Sequence, residues 1–193
     1  DGITTNCGFL SLFQKEISAR VKVPVATSSL MQIPMVQALL PPGKRVGVIT
    51  VSAKTLSRDH LVAAGAPVDT RVVGVENGAE FFRAIVGNEM RLDVGLAARD
   101  ILDAGKALVA QHKDVGAIVL ECTNMAPYSA ALRETVNLPV FDIYSFITWF
   151  HASLRPRDFG PPADRRTTLG EGNQVFFAGL QPPVPPRKVV ADK

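Results

Sequence analysis

Apolar residues along this chain form two kinds of pattern: short unbroken runs, and longer stretches in which they recur every three or four positions. Unbroken runs bounded by turn residues predict strands that are buried on both faces. In the second half of the chain, strands are predicted near residues 45–51, 70–75, 116–121 and 139–143. Helices are predicted in the intervals, over about 55–65, 78–87, 93–112, 127–136 and 144–154. The apolar stripe of the longest helix, which suits a sheet-covering face, consists of Val94, Ala97, Ile101, Ala104 and Leu108.

The first forty residues show the same alternation of strand and helix. An apolar residue at every fourth position predicts a helix over 9–21, and the face is formed by Phe9, Phe13, Ile17 and Val21. A short buried strand is predicted over 23–26 and a second helix over 30–40, with Pro34 near its first turn, where proline is tolerated. Strands that alternate with helices indicate an α/β fold built on parallel sheets.

The two halves of the chain share a short motif. Cys7 and Cys122, its two cysteines, each follow an apolar strand and precede a predicted helix, and they lie 115 residues apart. The same offset superposes Val23-Pro24-Val25 on Leu138-Pro139-Val140. We interpret this as an internal duplication. The predicted fold is therefore two pseudo-symmetric parallel-sheet domains, Rossmann-like or flavodoxin-like, with the active site in the cleft between them.

The duplication also predicts the domain organisation. Residues 1–43 are expected to be the C-terminal part of the first domain, and residues 44–155 the second domain. Residues 156–193 are expected to be a flexible tail, because they hold seven of the fourteen prolines. Subtracting the offset from Lys44 places the start of the first copy about 70 residues before Asp1. We therefore expect an incomplete first domain and an N-terminally truncated chain.

Composition and charge exclude several classes of protein. An apolar content of 47% is ample for a packed core. Residues 155–193 contain seven basic and four acidic side chains, whereas residues 1–154 contain 14 of each sign and offer no basic surface for nucleic acid. No apolar run approaches the roughly 20 residues that span a bilayer, so no membrane association is expected. Two cysteines do not form a disulfide framework, and a cytoplasmic location is expected.

The polar residues around the two cysteines indicate catalytic chemistry. Parallel sheets bind ligands at the carboxyl ends of their strands, where both cysteines lie. A helix N-terminus at such a position lowers the pKa of a thiol and binds carboxylates. Uncharged donors nearby suit carboxylate or enolate oxygens, and the substrate-binding candidates on the two loops are Thr5, Asn6, Gly8, Thr123 and Asn124. The pattern predicts paired thiols that exchange protons with a carbon beside a carboxyl or amide group.

The segments Thr4-Thr5-Asn6-Cys7-Gly8-Phe9 and Val119-Leu120-Glu121-Cys122-Thr123-Asn124-Met125-Ala126-Pro127 resemble the two active-site motifs of the aspartate/glutamate/hydantoin racemase superfamily. Matching elements run from Asp1 to about Asp158. The resemblance implies two pseudo-symmetric α/β domains, catalysis without cofactor or metal, and opposite acid–base roles for Cys7 and Cys122. It implies a small carboxylate or hydantoin-like substrate, and it is consistent with a homo-oligomer.

The motifs depart from those of the glutamate and aspartate racemases. These enzymes have Cys-Asn-Thr in the first motif, whereas this chain has Asn-Cys-Gly-Phe. Amino-acid racemases of the superfamily follow the second Cys-Thr with His or Glu, whereas this chain has Asn124 there and an acid, Glu121, before the cysteine. The pattern is more similar to the hydantoin racemase side. Glu121 either tunes Cys122 or makes a structural hydrogen bond.

Other strand ends offer further candidates. Ser28 and Ser29 follow the strand over 23–26, and helix N-capping is an equally good interpretation of their turn. Thr50 and Ser52 follow the strand that begins near residue 45 and have the same standing as substrate-binding candidates.

The remaining polar motifs do not indicate a site. His60 and His112 are expected on surface helices, and structural roles are predicted for them and for His151. No spacing typical of metal ligands and no complete nucleotide-binding loop occurs in the chain.

The predicted function is that of an isomerase, a cofactor-independent racemase or epimerase that acts at the α-carbon of a small amino-acid derivative or hydantoin-like compound. Same-fold alternatives are a maleate isomerase and a decarboxylase; arylmalonate decarboxylases keep one catalytic thiol, so the presence of two disfavours the latter. A catalytically inactive ligand-binding or orphan fragment is the non-enzymatic alternative.

Overall fold

The computed structural model describes residues 1–158, of which Asp1–Leu154 form one compact unit. Apart from its first three residues, the predicted tail lies outside the described residues. The strands are β1 (Ile3–Thr4), β2 (Val25–Ala26), β3 (Arg45–Thr50), β4 (Arg71–Gly74), β5 (Val115–Leu120) and β6 (Val140–Phe141). The α-helices are α1 (Gln14–Arg20), α2 (Ile33–Leu39), α3 (Arg58–Ala63), α4 (Phe81–Val86), α5 (Val94–Gln111), α6 (Ser129–Val136) and α7 (Ile143–Leu154). Within residues 1–158, no helix has the length and apolar character needed to cross a bilayer.

The main sheet contains four parallel strands in the order β4-β3-β5-β6. Counted from β3, this is the order 2-1-3-4 of a doubly wound sheet, in which the strand order reverses between β3 and β5. Alternate residues of β3 and β5 pack into two layers, one with α2 and α3 and the other with α5 and α6. Both faces are therefore covered, which explains the unbroken apolar runs. The predicted α/β fold with parallel sheets is confirmed.

Helix α5 covers one face of this sheet, as its apolar stripe predicts. The buried positions of the stripe are Ala97, Ile101, Ala104 and Leu108. Val94 differs, with 65% of its surface exposed, because it is the first residue of the helix. The preceding Asp93 is the N-cap, and its carboxylate accepts the N–H of Leu96 at 2.9 Å.

The offset of 115 residues recurs in the strand pairing. β1 pairs with β2 through Ile3 opposite Val25, and β5 pairs with β6 through Ile118 opposite Val140. Each of these four residues is 115 positions from its counterpart in the other pair. The hydrogen-bond register therefore supports the internal duplication.

The region predicted as one helix over 9–21 is divided. It consists of a 3₁₀ helix, Gly8–Phe13, followed by α1. The predicted apolar face is not a buried face, since Phe13 is 46% exposed and no residue of α1 is buried. The physical reason is that β1 and β2 are two residues long each and offer little sheet for a helix to cover.

His60 also differs from its predicted surface position, because it is buried. Its Nδ1 accepts the N–H of Ser57 at 3.1 Å and completes a capping box at the start of α3. Its ring packs edge-on against Phe9, with ring centroids 5.0 Å apart. These contacts give His60 the structural role that the sequence predicts.

Candidate active site

Cys7 and Cys122 occupy equivalent positions at the ends of β1 and β5. Each is the extended N-cap residue of a 3₁₀ helix. In both loops the carbonyl of the cysteine accepts the N–H three residues later, from Leu10 at 3.1 Å and from Met125 at 3.0 Å. The duplication therefore extends through the two loops that carry the thiols, which we call the thiol loops (residues 5–8 and 121–124).

The two thiol loops touch each other. Thr123 Oγ1 donates a hydrogen bond of 3.0 Å to the carbonyl oxygen of Asn6. Gly8 packs directly on Glu121, so that a Cβ at this position would overlap the carboxyl and the carbonyl oxygen of Glu121. A close approach of this kind requires glycine. The structure therefore joins the two repeats at their thiol loops.

The two thiols lie in different environments. Cys7 is exposed, whereas Cys122 is half-buried. Burial raises the pKa of the Cys122 thiol, the charges of Glu121 and Cys7 add to the rise, and a hydrogen bond from the Asn124 backbone opposes it, so that the pKa lies at about 12. The predicted lowering of the thiol pKa is wrong for Cys122, because loss of water around the thiolate outweighs one backbone N–H.

Glu121, which precedes Cys122, is buried with 2% of its surface exposed. Its Oε2 accepts a hydrogen bond of 2.8 Å from Thr50 Oγ1, at the end of β3. Burial raises the pKa of this carboxyl to about 7, and hydrogen bonds from Thr50 and the Val51 backbone oppose the rise. The hydroxyl of Thr50, a sequence-predicted substrate ligand, is therefore directed at Glu121. The carboxyl lies where the strand order reverses, between the ends of β3 and β5.

The serines after β2 hold the first repeat against the end of β5. Ser28 caps the next 3₁₀ helix, since its Oγ accepts the N–H of Leu30 at 3.1 Å. Ser29 is fully buried and donates its hydroxyl to the carbonyl oxygens of Leu120 and Glu121, at 2.6 and 3.1 Å. N-capping thus describes Ser28, while Ser29 joins the two repeats beneath the thiol loops.

The remaining predicted site residues surround this framework. Asn6 and Asn124 are exposed, one on each thiol loop. Thr5 is half-buried and donates its hydroxyl to the carbonyl oxygen of Thr27. Ser52 is buried in the turn after β3, and its carbonyl oxygen accepts the N–H groups of Thr55 and Leu56 within that turn. Asn6 and Asn124 therefore form the exposed edge of the site.

Sequence reasoning missed the contacts that attach the first helix of each repeat to its second strand. Gln14 Oε1 accepts the hydroxyl of Thr27 at 2.8 Å and its N–H at 3.2 Å. The residues 115 positions later are Ser129 and Asp142, and the hydroxyl of Ser129 donates to the carboxylate of Asp142. Comparing each residue of the first repeat with the residue 115 positions later would have pointed to these contacts.

Other parts of the surface are concave as well. One cleft of about 360 Å³ lies beside β4 and α5, lined in part by Asn77 and Asp100. Another of about 360 Å³ lies at the start of β3, beside Lys44 and Arg45. Among residues 1–158, no three His, Cys, Asp or Glu side chains are grouped to hold a metal ion. The thiol loops and the residues beneath them offer thiols, amides, hydroxyls and one carboxyl.

Comparisons with known proteins bear on this site. A family model described as Asp/Glu/Hydantoin racemase matches residues 1–150. A dimethylsulfoniopropionate lyase from Durusdinium sp. clade D is 32% identical over 146 residues, which cover 72% of this chain and 48% of that protein. The chain thus spans about half the length of this curated relative.

Solved structures show the same fold. A glutamate racemase from Bacillus anthracis superposes with a TM-score of 0.55 at 12% identity, covering 80% of this chain and 59% of that one. An allantoin racemase from Pseudomonas fluorescens superposes with a TM-score of 0.55 at 20% identity, covering 80% and 61%.

Proposed function

Because the chain belongs to the Asp/Glu/Hydantoin racemase family, we propose that Cys7 and Cys122 transfer protons at the carbon next to the carboxyl group of a small molecule. The observation that carries this proposal is the contact between the two thiol loops, through Thr123 and Asn6, at the carboxyl ends of parallel strands. A thiolate next to a half-buried thiol is suited to general acid–base catalysis. The amides of Asn6 and Asn124 are our candidates for binding the carboxylate of the substrate.

The reaction that we propose first is a lyase reaction on a 3-sulfoniopropionate. The similarity to a dimethylsulfoniopropionate lyase supports it, because the 32% identity exceeds the 12% and 20% identities to the two racemase structures. A thiolate would take a proton from the carbon beside the carboxylate. The C–H electron pair would form a carbon–carbon double bond while the C–S bond breaks and its pair leaves with sulfur. Dimethyl sulfide, acrylate and a protonated thiol would result.

Racemisation or epimerisation of an amino-acid derivative or hydantoin-like compound is the second candidate. The equivalent positions of Cys7 and Cys122 favour it, because racemisation needs a base and an acid on opposite faces of one carbon. One thiolate would remove the α-proton, and the opposite thiol would return a proton to the other face.

A product assay separates the two candidates. The 193-residue chain is incubated in D₂O with dimethylsulfoniopropionate, and in parallel with amino-acid derivatives, hydantoins, maleate and malonates. Dimethyl sulfide is measured by gas chromatography, while acrylate, deuterium incorporation and the other products are measured by NMR. We expect equal amounts of dimethyl sulfide and acrylate, and a loss of about 100-fold or more in at least one of C7S and C122S. Full activity of the double variant would contradict the proposed chemistry.

A further inference from the structure

The two repeats differ at the residue that precedes each cysteine. The offset of 115 pairs Asn6 with Glu121. Asn6 is neutral and exposed, whereas Glu121 carries a carboxyl and is 2% exposed. Both cysteines begin a 3₁₀ helix and accept the same backbone hydrogen bond, so side chains and burial are the main source of a chemical difference between the thiols. Glu121 is a side chain that supplies such a difference, through its charge.

The carboxyl of Glu121 is held between the two repeats. Thr50 fixes Oε2 from the end of β3 with a hydrogen bond of 2.8 Å. On the opposite side Gly8 leaves room for the carboxyl, since a Cβ there would lie 2.7 Å from Glu121 Cδ and closer still to its Oε1. Ser29 bonds to the carbonyl oxygen of Glu121 at 3.1 Å. The carboxyl is therefore fixed by contacts from both repeats.

The thiols are the other titratable groups on the two loops that enclose this carboxyl. Cys122 lies on its own strand end, and the charge of Glu121 raises the pKa of that thiol. Cys7 belongs to the loop that contributes Gly8. β3 contributes the neutral hydroxyl of Thr50 and the N–H of Val51, and the turn after β2 contributes the neutral Ser29. Since burial raises the pKa of Glu121 to about 7, its charge changes near neutral pH.

We propose that Glu121 is a positioning residue that makes the two equivalent thiols unequal: its carboxylate, held beside Cys122 by contacts from both repeats, favours the protonated form of Cys122, and removal of that charge makes Cys122 easier to ionise. The catalytic value of unequal thiols rests on the proposed function. Proton transfer at carbon requires one thiolate as the base, and a second, protonated thiol can act as the proton donor. The arrangement itself can be tested without a substrate.

The test measures how fast iodoacetamide alkylates Cys122 between pH 5.5 and 9. The full chain is alkylated briefly and digested, and the modified Cys122 peptide is quantified by mass spectrometry for the wild type, E121Q and E134Q. Gln retains an oxygen that can accept from Thr50 but carries no charge. Glu134 is exposed on α6 and serves as the matched control. Circular dichroism verifies that each variant is folded.

We expect the ratio of the Cys122 alkylation rate in E121Q to that in the wild type to depend on pH. Below about pH 6, E121Q and the wild type alkylate at equal rates because Glu121 is protonated. Above pH 8, E121Q alkylates about ten-fold faster, which corresponds to a decrease of about one in the thiol pKa. E134Q follows the wild type throughout. Equal rates at pH 8.5, or a ratio that is the same at every pH, would overturn the proposal.

A second variant decides the matter if E121Q does not fold. T50V removes the hydrogen bond that lowers the pKa of Glu121 but keeps the carboxyl and nearly the same side-chain volume. The bend in the pH–rate profile of Cys122 should then move to higher pH. An unmoved bend contradicts the role of Glu121. The alkylation assay requires no turnover, so it tests the role of Glu121 even if the chain is inactive on every compound. An active chain whose alkylation rates do not change would refute the role of Glu121 and leave the proposed function standing.

Discussion

Replacing Glu121 with glutamine should change how the stability of the protein depends on pH. Burial raises the pKa of this carboxyl from 4.5 to about 7 in the folded chain. The folded state therefore binds the proton more tightly than the unfolded state, and its stability falls as pH rises from about 4.5 to 7 and then levels off. At about 1.4 kcal/mol for each pKa unit, ionised Glu121 lowers the free energy of unfolding by about 3 kcal/mol. E121Q has no ionisable group at this position, so its free energy of unfolding should not show this decrease.

The assay is urea denaturation of the wild type and E121Q at several pH values between 5 and 8. Far-UV circular dichroism reports the helices, and the fluorescence of the single tryptophan, Trp149, reports α7. The measured quantity is the difference in the free energy of unfolding between the two proteins, because this difference removes the pH dependence of all other groups that the substitution leaves unchanged. E134Q again serves as the exposed control.

We expect the difference to shift in favour of E121Q by about 2 to 3 kcal/mol between pH 5 and pH 8. For a domain of this size that corresponds to roughly 4–12 °C in melting temperature. A constant offset at all pH values would reflect altered packing or hydrogen bonding and would refute the reasoning, as would a shift in the opposite direction. Either result would mean that Glu121 is not buried in the way the structure describes.

Three further predictions follow from contacts in and around the thiol loops. G8A should destabilise the chain by about 1–3 kcal/mol in urea denaturation, because the added methyl group overlaps Glu121. The control is G95A, whose methyl group would have its nearest neighbour 3.4 Å away; alanine favours a helix more than glycine does, so G95A should stabilise the chain by up to about 1 kcal/mol. A destabilising effect of the same size in both would contradict the first statement. S29A should cost about 1–3 kcal/mol, since it removes buried hydrogen bonds of 2.6 and 3.1 Å; an unchanged urea midpoint would contradict this. The pKa of Cys122, raised from 9.0 to about 12, predicts that the wild type loses more stability than C122S as pH rises above about 9, and parallel melting curves from pH 8 to 10.5 would count against it.

Much of the fold could be predicted from local pattern. The strands of the main sheet are buried on both faces, so their apolar runs are unbroken and easy to locate. The offset between Cys7 and Cys122 predicted a repeat, and the register of Ile3 with Val25 and of Ile118 with Val140 follows it. Chemically distinctive residues that recur with their flanking elements are informative because both position and residue type have to match.

What could not be predicted depends on tertiary burial. Phe13 has the spacing of a core residue but lies exposed, because the sheet beside it consists of two short strands. The pKa of Cys122 is raised although its position at a helix start suggested the opposite, because the surrounding protein excludes water. The hydroxyl of Thr50, a predicted substrate-binding candidate, donates a hydrogen bond to Glu121, and the spacing of residues along the chain does not reveal this contact. Each of these properties is set by neighbours that are distant in sequence.

The difference between Asn6 and Glu121 bears on which reaction the site performs. A racemase has to work in both directions, so each thiol has to serve as base and as acid, and nearly equal environments favour this. An elimination removes a proton from one face only, and a site with one charged and one protonated thiol is sufficient. Glu121 makes the environments unequal, since its charge raises the pKa of the adjacent Cys122 while its counterpart Asn6 is neutral. C7S and C122S should therefore reduce turnover by very different factors if the chain is a lyase, and by similar factors if it is a racemase. Initial rates of the two variants under identical conditions make the comparison, and equal losses would contradict the lyase.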